Sequence, residues 1–489
     1  MRRPLEDRYW TTVAVVIAVL APYIVVTTAF FLVAKQQAAD LHASPTALQI
    51  SEGLSNAGYA FGALLGGDLI QRFRQRRLYL CLRAAARGRL PRLGDRDRAR
   101  PVRMRARAAG ARDGLPARGR RAAARPALPH LEDALDDRDD QHRILRRRLR
   151  RAGGRRRRRS RGRLALVRGR ARRSRPSGVA LALPTLPETE PPNRGLRFDG
   201  GAIVLGLAST VLAFLAVSRL QEISFASAFF VALLSGGVVG LLALLVLEYR
   251  SDEPLSPVKP LSSAIPTVGM LAATIGGGAF VTLVLLGGRY LDTVVRHSPI
   301  EVSIDFLPQV GGVIVAAALL GALVRTRFLP HLTLAGMVAL IAAGALLARL
   351  GPSSPRAAVL LLTALLGLGA GASVSPGLWI AGMSLPVALV GRTFALVELV
   401  RSLGDYVLAP VLGKVAHLYG AADALHGLRV AAWATVAVAA AGTAIGLALW
   451  WAAGAAAQEP DLEAWQDDGE SAFHSPRQLA RFRGEPEPQ

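Results

Sequence analysis

Residues 226–247 read ASAFFVALLSGGVVGLLALLVL, a stretch without one ionisable side chain. The hydrocarbon core of a bilayer is about 30 Å thick and a helix rises about 1.5 Å per residue, so about 20 mostly apolar residues cross it. This stretch has that length and nothing that asks for water. In lipid the backbone groups must be satisfied within the segment, which makes the span helical. The runs around it repeat the pattern at Gly200–Val217, Ile265–Gly288, Leu307–Val324, Leu329–Leu350, Ala357–Ile380, Val387–Leu412 and Val430–Ala453. Nearer the N-terminus stand Trp10–Ala34, interrupted by Pro22 and Tyr23, and the Gly- and Ala-rich Leu48–Ile70. Trp10–Ala34 is not followed by a small-residue cleavage site and reads as a mature helix, not a signal peptide.

Composition agrees. Of 489 residues 51% are hydrophobic and 49 are glycine, the balance of a membrane protein. A single cysteine, Cys81, excludes an intrachain disulfide framework and any Cys-based metal site. No nucleophile motif, phosphate loop or metal cluster stands out, the eight histidines are scattered, and no cofactor is expected. The run Gly276-Gly277-Gly278 lies inside an apolar span, where small residues let helices approach closely.

The formal charge of +25 is not spread along the chain. Cys81–Pro176 holds 34 arginines, no lysine, 9 acidic residues and no Phe, Tyr or Trp, while the rest of the chain balances to zero. Such a block cannot cross a bilayer, because each central Arg costs roughly 2.5–3.5 kcal/mol. One reading is a membrane-anchored binder of nucleic acid or anionic lipid; the absence of aromatics for base stacking counts against nucleic acid as a partner. The favoured reading is a membrane sequence translated in the wrong frame. An Arg-Arg pair read one base later becomes Ala, Val, Gly or Asp. Asp136–Arg147 can then become Thr-Thr-Ala-Thr-Ile-Asn-Ile-Gly-Phe-Phe-Gly. A block of this length would hold about four spans, and fourteen spans result.

Basic residues set the orientation. Arg2, Arg3 and Arg8 precede the first span, Arg72, Arg74, Arg76 and Arg77 follow the second, and Arg325 and Arg327 follow a later one. They place both termini in the cytoplasm of a multi-pass plasma (inner) membrane protein. The polar, acidic segment from Gln458 to Gln489 reads as a disordered cytoplasmic tail.

Several short passages resemble the fourteen-span drug–proton antiporter family of the major facilitator superfamily. They are Tyr290-Leu291 … Ser298-Pro299 … Leu307-Pro308, the linker LPETEPPNRGLRFD over Leu186–Asp199, and Leu385-Pro386 … Gly391-Arg392 … Arg401 … Leu403-Gly404. In the shifted frame Arg147–Arg156 permits Gly-x-x-x-Gly-Pro-x-x-Gly-Gly, similar to the family's fifth-span motif. The resemblance implies an all-α polytopic membrane helix bundle: two six-helix halves plus two central helices, the third to sixth helices being scrambled in this reading. It divides the chain into residues 1–80 (two helices and a gate loop), 81–176 (the Arg-rich block), 177–260 (linker and central pair), 261–457 (the C-terminal half) and 458–489 (the tail). It implies a non-enzymatic, monomeric secondary transporter, surrounded by membrane lipids, that exports a small amphipathic compound in exchange for protons. The alternative is a non-functional product of a disrupted frame.

The resemblance also implies a gate loop after the second span. Gly67, Leu69, Arg72, Arg76 and Arg77 fit its pattern, whereas Gln71 stands at the acidic position and Arg74 at a glycine; Asp68 is the neighbouring acid that could substitute. The first span, uncharged around Tyr23, lacks the family's embedded acid.

Ionisable residues inside a span are costly and mark functional candidates. Glu398, Arg401 and Asp405, at i, i+3 and i+7, share one helix face. They read equally as a protonatable site or as a self-neutralising structural triad. Of Asp292, Arg296, Glu301 and Asp305, mostly rim residues, Asp305 is the further candidate because it directly precedes Phe306-Leu307-Pro308. Asn56 and Tyr59, one turn apart, could line a cavity or pack between helices; Glu52 reads as an outer-rim residue.

Overall fold

The computed structural model describes residues 45–74, 77, 78, 81, 199–220, 222–251 and 254–483. Residues 45–72 and 199–483 belong to one compact unit, and residues 73, 74, 77, 78 and 81 belong to a second. The expectations placed on Trp10–Ala34, Tyr23, Arg76 and nearly all of 81–176 lie outside the described residues, as does the side chain of Glu52.

The described residues form helices and no named strand: α1 Pro45–Arg72, α2 Gly200–Ser218, α3 Ala228–Arg250, α4 Ala264–Arg289, short α5 Pro299–Asp305, α6 Leu307–Leu323, α7 Leu329–Arg349, α8 Arg356–Met383, α9 Val387–Tyr419 and α10 Ala424–Ala452. A π-helical turn, Tyr290–Val294, extends α4. The chain is therefore an all-α polytopic bundle. Seven of its helical segments are long and apolar enough to cross a membrane, with α5 and α6 counting as one segment. The two remaining long helices are α1 and α9, and α9 carries the charges at 398, 401 and 405.

Burial in this bundle is inverted relative to a soluble protein. Val231, Val238, Val239, Leu242 and Val246 of α3 are exposed, as are Val310, Ile314 and Val315 of α6. Thr210, Thr282, Ser373, Thr393 and Thr435 are fully buried. Water does not tolerate apolar faces of that extent, but lipid does. The buried hydroxyls of Thr210, Thr282, Ser373 and Thr435 each donate to the carbonyl four residues earlier (2.6–2.8 Å), so they are satisfied without leaving their own helix.

Helices approach closely where glycines face each other. A Cβ built on Gly269 of α4 would lie 2.5 Å from the Gly377 carbonyl oxygen of α8, and one on Gly377 would lie 2.6 Å from the Gly269 oxygen. The obstacle on each side is backbone, which cannot turn aside. Small residues do in lipid what interdigitating large side chains do in water.

The segment from Gln458 is not a disordered tail over its described part, residues 458–483. The Ala472 N–H donates to the Met383 carbonyl (2.7 Å), Val387 N–H to Gly469 (3.1 Å), Ala464 N–H to Asp461 Oδ1 (2.9 Å) and Ala264 N–H to Pro476 (3.0 Å). The Trp465 indole donates to Leu385 O (3.1 Å), and Ser475 Oγ accepts from Ile265 N–H (3.0 Å). Phe473 is buried beside Ile265, Leu329, Ile380 and Met383. The acidic composition of the segment conceals two aromatic anchors and a set of backbone hydrogen bonds. Those bonds satisfy helix ends that would otherwise lack partners.

Replacing Gly377 by Val forces α4 and α8 apart. Overpacking of this kind costs about 1–3 kcal/mol, so the variant melts several degrees below wild type in thermal unfolding of the detergent-solubilised protein. Gly311→Ala, at a site where nothing lies within 4 Å, leaves the melting temperature within error. Equal melting of both variants would remove the close-contact account.

Candidate functional site

The charged face of α9 folds into one ion cluster. The Arg401 guanidinium grips Glu398 with two hydrogen bonds, Nε to Oε2 (2.9 Å) and a terminal nitrogen to Oε1 (2.5 Å). Its other terminal nitrogen donates to Asp405 Oδ2 at 2.6 Å. The helix produces this arrangement unaided, because residues three and four apart are surface neighbours and the planar guanidinium fork spans both carboxylates. The side chains of Glu398 and Arg401 are about one-fifth exposed, at 21% and 19%, and that of Asp405 is 9% exposed.

Three helices surround the cluster. On α4, Gly277 faces Asp405 so closely that a Cβ there would sit 3.0 Å from the carboxyl carbon. The Gly276–Gly278 run is thus a packing contact, as its sequence suggests, and the carboxylate is what it makes room for. On α1, Tyr59 is near enough for its hydroxyl to act electrostatically on Arg401, and Asn56 is buried one turn earlier. On α2, Phe214 stacks at 5.4 Å on Tyr406 of α9 and clusters with Ala57 and Leu403. Among the described residues Asp405 Oδ1, Thr274 Oγ1 and Ser402 Oγ are buried without a hydrogen-bond partner, which makes a polar strip where α4 meets α9. Thr274 and Ser402 were missed in the sequence, because a lone hydroxyl in an apolar run has no spacing signal.

Two carboxylates share one guanidinium. Arg401 attracts the Asp405 carboxylate and Glu398 repels it. With all three ionised the cluster carries one uncompensated negative charge.

Asp305 is not part of this site. Its carboxylate, 0% exposed, is held by Arg356 (2.9 Å) and His297 Nδ1 (2.8 Å). The Thr363 hydroxyl donates to its backbone oxygen at 2.9 Å. It ties the end of α5 to α8, and its partner 51 positions away is invisible to local sequence reading. Glu301 closes a capping box with Ser298 at the start of α5.

At the end of α1, Asp68 and Gln71 are buried, and Asp68 pairs with Arg72 at 2.8 Å. Gly67 packs against Gly391 and Ala395 of α9. The next residue on α9, Arg392, donates to Leu255 O (3.1 Å) and to the neighbouring Pro254 O. Asp68 and Glu248 both act electrostatically on its guanidinium. Glu248, near the end of α3, accepts from Ser256 N–H at 2.8 Å. Arg392 and Glu248 were not singled out as gate residues; they join the Asp68–Arg72 pair. Arg77, in the second unit, is exposed.

A separate cavity of about 180 Å³ lies between α4, α7 and α10, lined by Ala272, Met337, Thr443 and Trp450, and no member of the triad reaches it.

An apolar helix bundle with an ion cluster enclosed in its interior defines a multi-pass membrane protein. Comparison with known proteins points the same way. The chain is similar to the puromycin resistance protein pur8 of Streptomyces alboniger, 29% identical over 244 residues. That alignment covers 47% of this chain and 46% of the relative, so the chain spans about half the length of the protein it matches. No protein-family model matches the chain.

Arg401→Gln strands two carboxylates in a largely buried site and lowers stability by on the order of 3 kcal/mol. The triple variant Arg401→Gln/Glu398→Gln/Asp405→Asn removes the stranded charges and recovers most of that loss in thermal melts. A triple variant no more stable than Arg401→Gln would show that the ion pairs do not hold this part of the bundle.

Proposed function

We propose that this chain is a secondary transporter that exports a small amphipathic compound across the plasma membrane in exchange for protons. The observation that carries the reading is the odd charge of the α9 cluster. A negative charge left over in a low-dielectric interior costs several kcal/mol, and the simplest remedy is a proton on Asp405. Oδ1 of Asp405 is the oxygen not engaged by Arg401, and it is where that proton would reside. Taking up and losing it changes the charge between α4 and α9 by one unit. A charge change can bias two conformations only if they differ in how they accommodate it. Transporters of this kind bind substrate near the bilayer midplane and rock between access states, and the contact between α1, α4 and α9 is where such a motion would be felt. The resemblance to the antiporter family and the similarity to a resistance protein support the same reading. Puromycin is therefore the first compound to test.

In this reading Glu398, Arg401 and Asp405 couple protons, with Asn56, Tyr59 and Tyr23 at the cavity. Gly67, Asp68, Arg72, Arg76 and Arg77 form the cytoplasmic gate, Asp68 standing in for the acid missing at 71. Both termini face the cytoplasm and the protein works as a monomer in lipid. Transport needs the helices that the frame restored across 82–176 would supply. The chain with its 34 arginines in that block is the inactive alternative, and a transporting chain with the block intact would reject that alternative.

In everted vesicles carrying the frame-restored chain, an imposed inward-acid gradient drives puromycin uptake. Asp405→Asn fixes the site in its neutral form and reduces gradient-driven uptake at least tenfold, while downhill exchange of labelled for unlabelled puromycin persists. Glu398→Gln removes the excess charge differently and shifts the pH dependence of uptake. Undiminished gradient-driven uptake in both variants would leave the triad a structural role and sink the coupling assignment.

A further inference from the structure

The ordered segment 458–483 does more than cover helix ends. Where it crosses the turn leading into α4 it borders an open groove of about 320 Å³ against the C-terminal end of α8. Its lining is unlike the rest of the bundle. Lys259 and Arg477 face it together with Ser262, Ser384, Ser471 and Ser475, and none of the described residues that line it is acidic. Phe473 closes one side, and an antiparallel bridge between Ser263 and Arg477 fixes the two strands of chain across it.

Hydrogen-bond bookkeeping shows which groups have protons to give. The Ser262 and Ser384 hydroxyls donate to the carbonyls of Lys259 (2.6 Å) and Ile380 (2.7 Å). Ser475 Oγ instead accepts from Ile265 N–H, which leaves its own proton free. The Ser471 hydroxyl makes no hydrogen bond among the described residues. The Lys259 ammonium lies 6.0 Å from the Tyr249 ring centroid, a contact that uses none of its three N–H donors. The Lys259 ammonium and the hydroxyls of Ser471 and Ser475, with their protons to give, line this groove beside Arg477, and no described lining residue is a carboxylate. The N-cap of α4, Ser263, lines it as well.

We propose that this groove binds a phosphoryl anion. The donor set is that of an oxyanion site, with charge-assisted hydrogen bonds from Lys and Arg and neutral ones from serines. The volume exceeds what inorganic phosphate fills and leaves room for the group esterified to it. The position, where α3, α4 and α8 stop being apolar, is headgroup level, so a phosphate ester of a membrane lipid and a soluble phosphate meet the same groups. Occupancy fastens the segment over the ends of α4 and α8.

The test uses the full chain in nanodiscs and reads hydrogen–deuterium exchange locally, in the peptide covering residues 469–478. Local reading keeps the Arg-rich block, which also attracts anions, out of the signal. In phosphatidylcholine discs, inorganic phosphate at ten times its dissociation constant slows opening of this peptide about tenfold if phosphate itself is the ligand. In discs containing phosphatidylglycerol the peptide is protected without added phosphate if the headgroup is the ligand. Lys259→Gln/Ser471→Ala, at two side chains that hold no other hydrogen bond among the described residues, abolishes whichever protection is seen. It leaves exchange in α7 unchanged. Protection in neither arm, or equal protection in the double variant, overturns the proposal.

Discussion

A guanidinium inside an apolar bundle is tolerable only if its counter-charges come with it. Arg401 meets that condition within its own helix, with Glu398 one turn before it and Asp405 one turn after. The neighbouring helices are shaped around the result. Gly277 of α4 leaves room for the Asp405 carboxylate, and the Phe214–Tyr406 pair seals the side toward α2. A smaller cation could not do this, because a lysine offers a single point charge where two carboxylates at different heights must be engaged. The arrangement over-pairs the arginine by one negative charge. That surplus separates this cluster from Asp305, whose carboxylate is held by an arginine and a histidine.

The helices were legible in the sequence for a simple reason. Lipid imposes a minimum apolar length, and Gly200–Ser218, Ala228–Arg250, Ala264–Arg289, Leu307–Leu323 with the short helix before it, Leu329–Arg349, Arg356–Met383 and Ala424–Ala452 announce themselves by it. The triad was legible too, since helical spacing alone brings residues 398, 401 and 405 onto one face. What could not be read was anything that depended on a partner far along the chain. Asp305 was singled out because it directly precedes Phe306-Leu307-Pro308, and its partner Arg356 comes from another helix. The segment after Gln458 looked unstructured because composition averages over its acids. Its order rests on Phe473, on the Trp465 indole donating to the Leu385 carbonyl and on backbone hydrogen bonds with Met383 and Val387, and none of these has a periodic signature.

At the end of α1 the residues depart from the pattern that the antiporter resemblance implies. Gln71 occupies the position where an acid was expected, yet it is buried beside a carboxylate supplied three residues earlier by Asp68. A helix turn is short enough that residues 68 and 71 point to nearly the same side. Asp68 consequently reaches both Arg72 on its own helix and the field of Arg392 on α9.

Arg392 and the triad stand on one helix. At about 1.5 Å per residue, the nine positions between Arg392 and Arg401 span about 13.5 Å. Arg392 holds the turn at residues 254–255 by its carbonyls, and Glu248 holds the same turn by the Ser256 amide. The end of α3 is therefore fastened to α9 at the level of the Asp68–Arg72 pair. Under the proposed function, a proton arriving at Asp405 acts on a helix whose other end carries that fastening. α9 then need not bend to transmit the change: a rigid-body tilt moves Arg392 relative to Asp68 directly. The extra helices α2 and α3 enter the cycle through Glu248, as a bracket on the moving helix and not as spacers between two halves.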